Sequence, residues 1–170
     1  LERVCRAYRL PCVSGKDSMK NDYGTGPDKI SIPPTLLFSL FGDHPDVRKT
    51  ATSDFKSVGD RIYLVGTSHQ ELGASELAYM MSESGDAHGI GGQVPQLPHP
   101  EQNLSTYRAL AAAVRNGTVR TAHDCSEGGV AVALAEMCIG GRLGASVDID
   151  GTGEGDVWGR LWGESLGRFV

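Results

Sequence analysis

The residues whose types could do chemistry are most concentrated near the start of the chain, at positions 14–22. There a short apolar run gives way to small, hydroxylated and charged side chains. Gly15 permits backbone angles that are closed to other residues and lets a ligand approach closely. The Ser14 and Ser18 hydroxyls, the Lys16 ammonium and nearby backbone N–H groups can all donate to phosphate oxygens. This stretch is therefore a candidate phosphate-binding loop.

The same stretch carries two carboxylates, Asp17 and Asp22, which could instead face a hydrated magnesium ion. It is not a Walker A loop, because that motif needs another glycine where Leu10 stands and a Ser or Thr directly after Lys16. Taken by itself, the stretch is also compatible with an ordinary solvated turn.

A second informative stretch, residues 119–137, reads as strand, loop and helix. Asp124 and Ser126 are placed to cap the predicted helix. Gly128 and Gly129 at its first turn either leave N–H groups open to an anion or let another backbone pack closely against them. The candidate anion-binding helix start is therefore Ser126, Gly128 and Gly129, with close packing as the alternative.

Composition excludes several functions. The chain has 170 residues, 39% of them hydrophobic and 22% charged, which is enough for one sizeable core or two smaller ones. A net charge of −5 and the lack of a basic cluster interleaved with aromatics argue against nucleic-acid binding. No apolar run is long enough to predict a membrane span.

The four cysteines form no C-x-x-C pair. Each stands among apolar or small residues, which predicts buried thiols in a reducing cytosol and hence a cytoplasmic protein. His123 and Cys125 could ligate a metal, but no second pair supplies structural zinc spacing.

The elements that must position these residues follow from periodicity. A helix is predicted over residues 2–9, ending before Pro11, and the apolar run at 35–41 predicts a buried strand. Polar, turn-rich residues between 42 and 60 predict a domain boundary there.

Beyond that boundary, strands at 62–65, 119–122 and 145–149 should share one mixed sheet. Helices beginning near Ser75, Ser105 and Glu127 should pack on it. The chain starts near a helix end and stops where a strand is predicted to begin, at Phe169, so we expect a fragment of a longer protein.

Six pieces of sequence, in order and over nearly the whole chain, resemble the second synthetase-like half of the phosphoribosylformylglycinamidine synthase family. They are SGKDSMKND at 14–22, IPPTLL at 32–37, GDRIYLVG at 59–66, ELGASE at 71–76, HDCSEGGVAVALAEM at 123–137 and GESLGRF at 163–169.

The resemblance implies an α/β (α+β) fold related to aminoimidazole ribonucleotide synthetase. Residues 1–46 would be the end of an N-terminal-type β-α-β domain. Residues 47–170 would be most of an α/β/α C-terminal-type domain, truncated at its end.

The resemblance also implies an ATP- and magnesium-dependent ligase of de novo purine biosynthesis. Members convert formylglycinamide ribonucleotide to its amidine with ammonia released from glutamine. The expected partners are that nucleotide, the rest of the synthetase chain and a glutaminase subunit or domain.

In the family, the position of Gly15 contacts ATP and that of Ser18 contacts substrate. Some members carry a magnesium-holding Asn where this chain has Lys16, and a protonated Lys cannot ligate a cation. Lys16 is therefore assigned to ATP phosphate, and the magnesium ligand stays open. The family's catalytic His has no match here, so no catalytic residue is assigned and the isolated chain is expected to be inactive.

Two alternatives remain open at the level of sequence. The chain could be a catalytically silent nucleotide-binding or docking module of the same superfamily. It could also belong to the related kinases and synthases that act on selenide, on thiamine monophosphate or in hydrogenase maturation.

Overall fold

The computed structural model describes residues 1–16, 21–33, 35–83 and 91–170. These fall into two compact units, Leu1–Val47 and Arg48–Val170. Helices and a small antiparallel sheet give the described chain a mixed α/β character. The assignment of the units to the two expected domain types remains a prediction.

The first unit begins with the predicted helix, α1, Glu2–Tyr8. An ion pair between Glu2 and Arg6, 2.7 Å apart and one turn along the helix, supports it. The short strands β1, Asp22–Tyr23, and β2, Ile30–Ser31, pair antiparallel across a 3-10 turn at Gly26–Asp28. The helix prediction is thus confirmed.

The predicted buried strand at 35–41 is wrong. These residues form no strand, and their apolar side chains are exposed, with Leu37 and Phe41 each 88% accessible. A strand needs a neighbouring backbone to bond and an apolar layer to cover its face. The described residues of the first unit supply neither to this segment.

The described residues of the second unit form four helices: α2, Glu76–Glu83; α3, Pro100–Arg115; α4, Gly129–Gly141; and α5, Val157–Trp162. A 3-10 turn, Val47–Lys49, lies at the boundary between the units. Two helices begin within two residues of the predicted positions. None of the described helices is both long and apolar enough to cross a membrane.

Helix α3 begins five residues before the predicted start at Ser105. Pro100 occupies its first turn, where the missing N–H costs nothing. Ser105 lies inside the helix, and its hydroxyl donates to the Glu101 carbonyl at 3.2 Å. The helix ends at Arg115, and Gly117 follows with a φ of 78°, as is common after a helix end.

The predicted three-stranded mixed sheet is wrong. Phe169 is bridged on one side to Val65 and on the other to Asp124, both antiparallel, but these are isolated bridges. Residues 145–149 form no bridge.

Two clefts are lined by residues of the predicted strands. One of about 570 Å³ is lined by residues from 57–64 and 143–149, and another of about 350 Å³ by residues from 60–63 and 118–122. Among the described residues, no hydrogen-bonded ladder joins the three segments.

The core of the second unit lies under α4. Val130, Ala133 and Met137 from that helix are almost fully buried, and Val130 and Ala133 cluster with Cys125. Helix α4 is apolar nearly all round, and it buries this one face while Ile139 stays 76% exposed.

Candidate functional site

Three of the six sequence pieces named above meet in the second unit, where one carboxylate joins the beginnings of two helices. Oε1 of Glu164 accepts hydrogen bonds from the backbone N–H of Gly128 and from that of Glu76, each at 2.9 Å. Gly128 precedes α4, and Glu76 is the first residue of α2. The first N–H groups of a helix have no partner within the helix and carry positive partial charge, so both positions favour an anion such as this carboxylate.

Arg168 binds the 163–168 loop, which carries Glu164, from the buried side. Its side chain is 1% exposed, donates to the Ser68 hydroxyl at 2.8 Å and to the Ser165 carbonyl at 3.0 Å, and also bonds the Gly163 carbonyl. Burial lowers the pKa of this guanidinium. Nearby negative charge acts in the opposite direction, so the arginine is retained as a buried cation that holds the 163–168 loop in place.

Glu71 supplies part of the negative charge that acts on Arg168. The residue is 4% exposed, and its Oε1 accepts the Gln96 N–H at 2.9 Å. Its Oε2 is buried with no hydrogen-bond partner among the described residues. The Glu71 carbonyl also accepts the backbone N–H of Glu164 at 3.2 Å, which joins the 71–76 and 163–169 pieces directly.

Gly129, the first residue of α4, allows close packing. Gly129 has a φ of 62°, and a Cβ there would lie 2.5 Å from the Gly163 carbonyl oxygen and 2.7 Å from that of Leu161. Real side chains do not tolerate such contacts with backbone atoms. The close-packing alternative therefore accounts for Gly129.

The predicted caps at Asp124 and Ser126 are wrong. Helix α4 begins at Gly129 with Gly128 as its N-cap, and the Ser126 hydroxyl donates to the Asp124 carboxylate instead. The Gly129 N–H bonds the Ser126 carbonyl at 3.0 Å. A phosphate at Gly128 would have to displace Glu164, and binding of an external anion there stays a prediction.

Polar side chains just before α4 contact one another and a carboxylate of that helix. His123 places Nε2 2.9 Å from the Glu136 carboxylate and Nδ1 3.4 Å from the Asp124 carboxylate. The hydrogen bond from Ser126, ahead of the effect of His123, lowers the pKa of Asp124. Among the described residues, no group of three or more His, Cys, Asp or Glu is arranged to hold a metal ion.

In the first unit, Gly15 and Lys16 are exposed. The φ of Gly15 is not in the left-handed region, and a Cβ there would meet nothing within 4 Å. Gly15 therefore does not use the left-handed angles that glycine permits, and the space around it is open; its contact with ATP stays a prediction. Asp22 is paired with Lys29 at 2.7 Å, while Asp17 and Ser18 lie outside the described residues.

The sequence interpretation assigned no role to Glu164, Arg168 or Glu71, although their pieces were recognised. The available signal was a charged side chain in a glycine-rich or apolar run, as in GESLGRF. Such charges are rarely buried without partners. The partners themselves lie in remote parts of the chain and cannot be read from local sequence.

The chain was compared with known proteins. Residues 57–166 match the family model described as "AIR synthase related protein, C-terminal domain". The chain is also 36% identical over 168 residues to "Phosphoribosylformylglycinamidine synthase subunit PurL" of Deinococcus radiodurans. That alignment covers 98% of this chain but only 22% of the relative, so the chain spans about a fifth of its length.

Proposed function

The chain belongs to the AIR synthase related proteins through their C-terminal domain, and on that basis we propose that it is part of a phosphoribosylformylglycinamidine synthase. The proposed reaction is the ATP-dependent conversion of formylglycinamide ribonucleotide to formylglycinamidine ribonucleotide, with ammonia derived from glutamine. The proposed partners are the rest of the synthetase chain and a glutaminase subunit or domain.

One observation carries this proposal. The 36% identity extends over 98% of the chain, through both units, rather than over the matched domain alone. The geometry adds support, since the pieces at 71–76, 123–137 and 163–169 are joined by the hydrogen bonds of Glu164 and by the bond from the Cys125 N–H to the Arg168 carbonyl. Residues recognised as a pattern in sequence thus form one connected structure.

In this proposal, ATP would supply the phosphoryl group that activates the substrate amide oxygen, and magnesium would neutralise phosphate charge. The chain's own contribution is to neutralise charge and to hold the reacting groups in line. The exposed Lys16 ammonium provides a positive charge for phosphate, and the open space at Gly15 lets a phosphate approach the backbone. Ser18 is proposed to contact substrate, by resemblance alone.

The start of α4 offers a poorer phosphate site than the first loop. The Gly128 N–H already has a carboxylate partner, and the space beside Gly129 is filled by the carbonyls of Leu161 and Gly163. We therefore place the ATP-facing role on Gly15 and Lys16. The second unit acts as a scaffold, in which Glu164 and Arg168 set the positions of the loops.

The test is nucleotide binding by the full-length protein, followed by amidine formation with ATP, substrate and ammonia. Lys16→Ala should weaken ATP binding at low salt, and the difference from the unaltered protein should shrink as salt rises. Lys49→Ala, which removes another exposed lysine, is the matched control. If Lys16→Ala bound ATP as tightly as the unaltered protein and still formed the amidine, only the role of Lys16 would be overturned. If the unaltered protein bound ATP but formed no amidine, the proposed reaction would be overturned.

A further inference from the structure

The first unit contains two cysteine sulfurs in contact. Cys5 lies in α1 and Cys12 in the irregular segment after it, and their sulfur atoms are 3.8 Å apart. Both are free thiols; Cys12 is exposed and Cys5 is half-buried. The sequence interpretation of all four cysteines as buried holds for Cys125 but is wrong for Cys12.

The local backbone produces this approach. Helix α1 ends at Tyr8, and its C-cap residue, Arg9, adopts the left-handed conformation with a φ of 56°. The Leu10 N–H then bonds the Cys5 carbonyl at 2.9 Å, so the chain folds back over the last turn of the helix. Pro11 restricts the next step. The two thiols are therefore held together by the fold of an eight-residue segment, positions 5–12.

We propose that Cys5 and Cys12 are a redox modification site that closes into an intramolecular disulfide when the chain meets a disulfide oxidant such as oxidised glutathione. The bond requires the sulfurs to approach to about 2.05 Å. Cys12 lies in no helix or strand, so a change of its side-chain rotamer with a small backbone shift can supply the difference.

The two steps balance. The exposed Cys12 thiolate attacks one sulfur of oxidised glutathione and expels a glutathione thiolate, leaving a mixed disulfide at Cys12. The Cys5 thiolate then attacks the Cys12 sulfur and expels the second glutathione thiolate. Two protein thiols are oxidised, one glutathione disulfide is reduced, and the two protein protons pass to solvent or to the released thiolates.

The order of attack follows from exposure. Partial burial, and then the hydrogen bond with Cys12, raises the pKa of the Cys5 thiol. Cys5 is therefore the slower thiol to react with an external disulfide and acts as the resolving partner. Closure would restrain the backbone four positions before Lys16, which links the redox state to the candidate phosphate loop.

The experiment treats the full chain with oxidised glutathione, blocks the remaining thiols and maps the tryptic peptides. Cleavage after Arg3, Arg6, Arg9 and Lys16 releases Cys5 within residues 4–6 and Cys12 within residues 10–16. The proposal expects these two peptides to be linked, with a mass lower by two hydrogens than their sum.

Variants isolate the second step. In Cys5→Ser, the glutathione adduct at Cys12 should accumulate at least about tenfold above its level in the unaltered chain, because nothing resolves it. Cys138→Ser, the control, should leave the bridge intact. A stable adduct at Cys12 of the unaltered chain without the linked peptides, or a Cys12 disulfide between two chains, would overturn the proposal. Peptide mapping of the unaltered chain gives this answer even if a variant fails to fold.

Discussion

Replacement of Glu164 by Ala removes a side chain that joins the beginnings of α2 and α4. Two backbone donors, the N–H groups of Gly128 and Glu76, lose a charged acceptor at 2.9 Å. The nearby buried guanidinium of Arg168 loses one of the negative charges that favour its ionised form. The second unit should therefore be less stable without this carboxylate.

The magnitude follows from the two bonds. A hydrogen bond to a charged group contributes about 1.5–3 kcal/mol, so the upper bound for the pair is about 3–6 kcal/mol. Because Glu164 is only half-buried, water can reach part of the vacated space, and we expect a loss of about 2–4 kcal/mol. Glu164→Gln keeps an acceptor oxygen but loses the charge, and it should cost about half as much.

Urea unfolding followed by tryptophan fluorescence measures this change. Both tryptophans, Trp158 and Trp162, lie in α5 of the second unit, so the signal reports on that unit. At an m value of about 2 kcal/mol per M, Glu164→Ala should lower the urea midpoint by about 1–2 M.

The control is Glu154→Ala. It removes a carboxylate whose side chain is 83% exposed and whose pairing with His69, at 3.6 Å, is loose. Its effect should stay within about 0.5 kcal/mol. If the midpoint of Glu164→Ala matched that of Glu154→Ala, the carboxylate would not stabilise the helix beginnings, and the inference drawn from its two hydrogen bonds would be wrong.

Three further outcomes are expected. Gly129→Ala should destabilise the second unit by about 2–5 kcal/mol, since it combines a positive φ with contacts to two carbonyls, whereas Gly144→Ala, whose Cβ meets nothing within 4 Å, should change stability little. Equal urea midpoints for these two variants would contradict the packing argument. Hydrogen bonds from the Gly159 N–H and then from Gln70 lower the pKa of Asp156 below its ordinary 3.8, so its contribution is present above pH 3.8 and is lost as pH falls through the depressed value. Asp156→Asn should therefore flatten the fall in stability below that pH, and an unchanged acid profile would refute the assignment. Burial raises the pKa of Cys125 to about 11, so at pH 8 alkylation should label Cys12 well before Cys125, and comparable rates followed by mass spectrometry would contradict the burial.

The sequence by itself determined the elements whose signals are local. The run of apolar residues in α4 and the end of α3 at Asn116-Gly117 depend on residues within a few positions of one another, and both are present in the structure. The six ordered sequence pieces indicated the family for the same reason, since a family pattern is written along the chain.

Tertiary structure alone decided which residues meet. Glu164 finds its backbone partners 36 and 88 positions away, and no local pattern encodes such a pairing. The segments at 62–65, 119–122 and 145–149 were expected to pair as strands but share no ladder, because a ladder needs backbones at bonding distance as well as apolar side chains. Gly129 could be read equally well as an anion site or as a packing site until the carbonyls of Leu161 and Gly163 were found against it. The sequence shows which interactions a residue can make. Which of them it does make depends on the remote groups that lie against it in the folded chain.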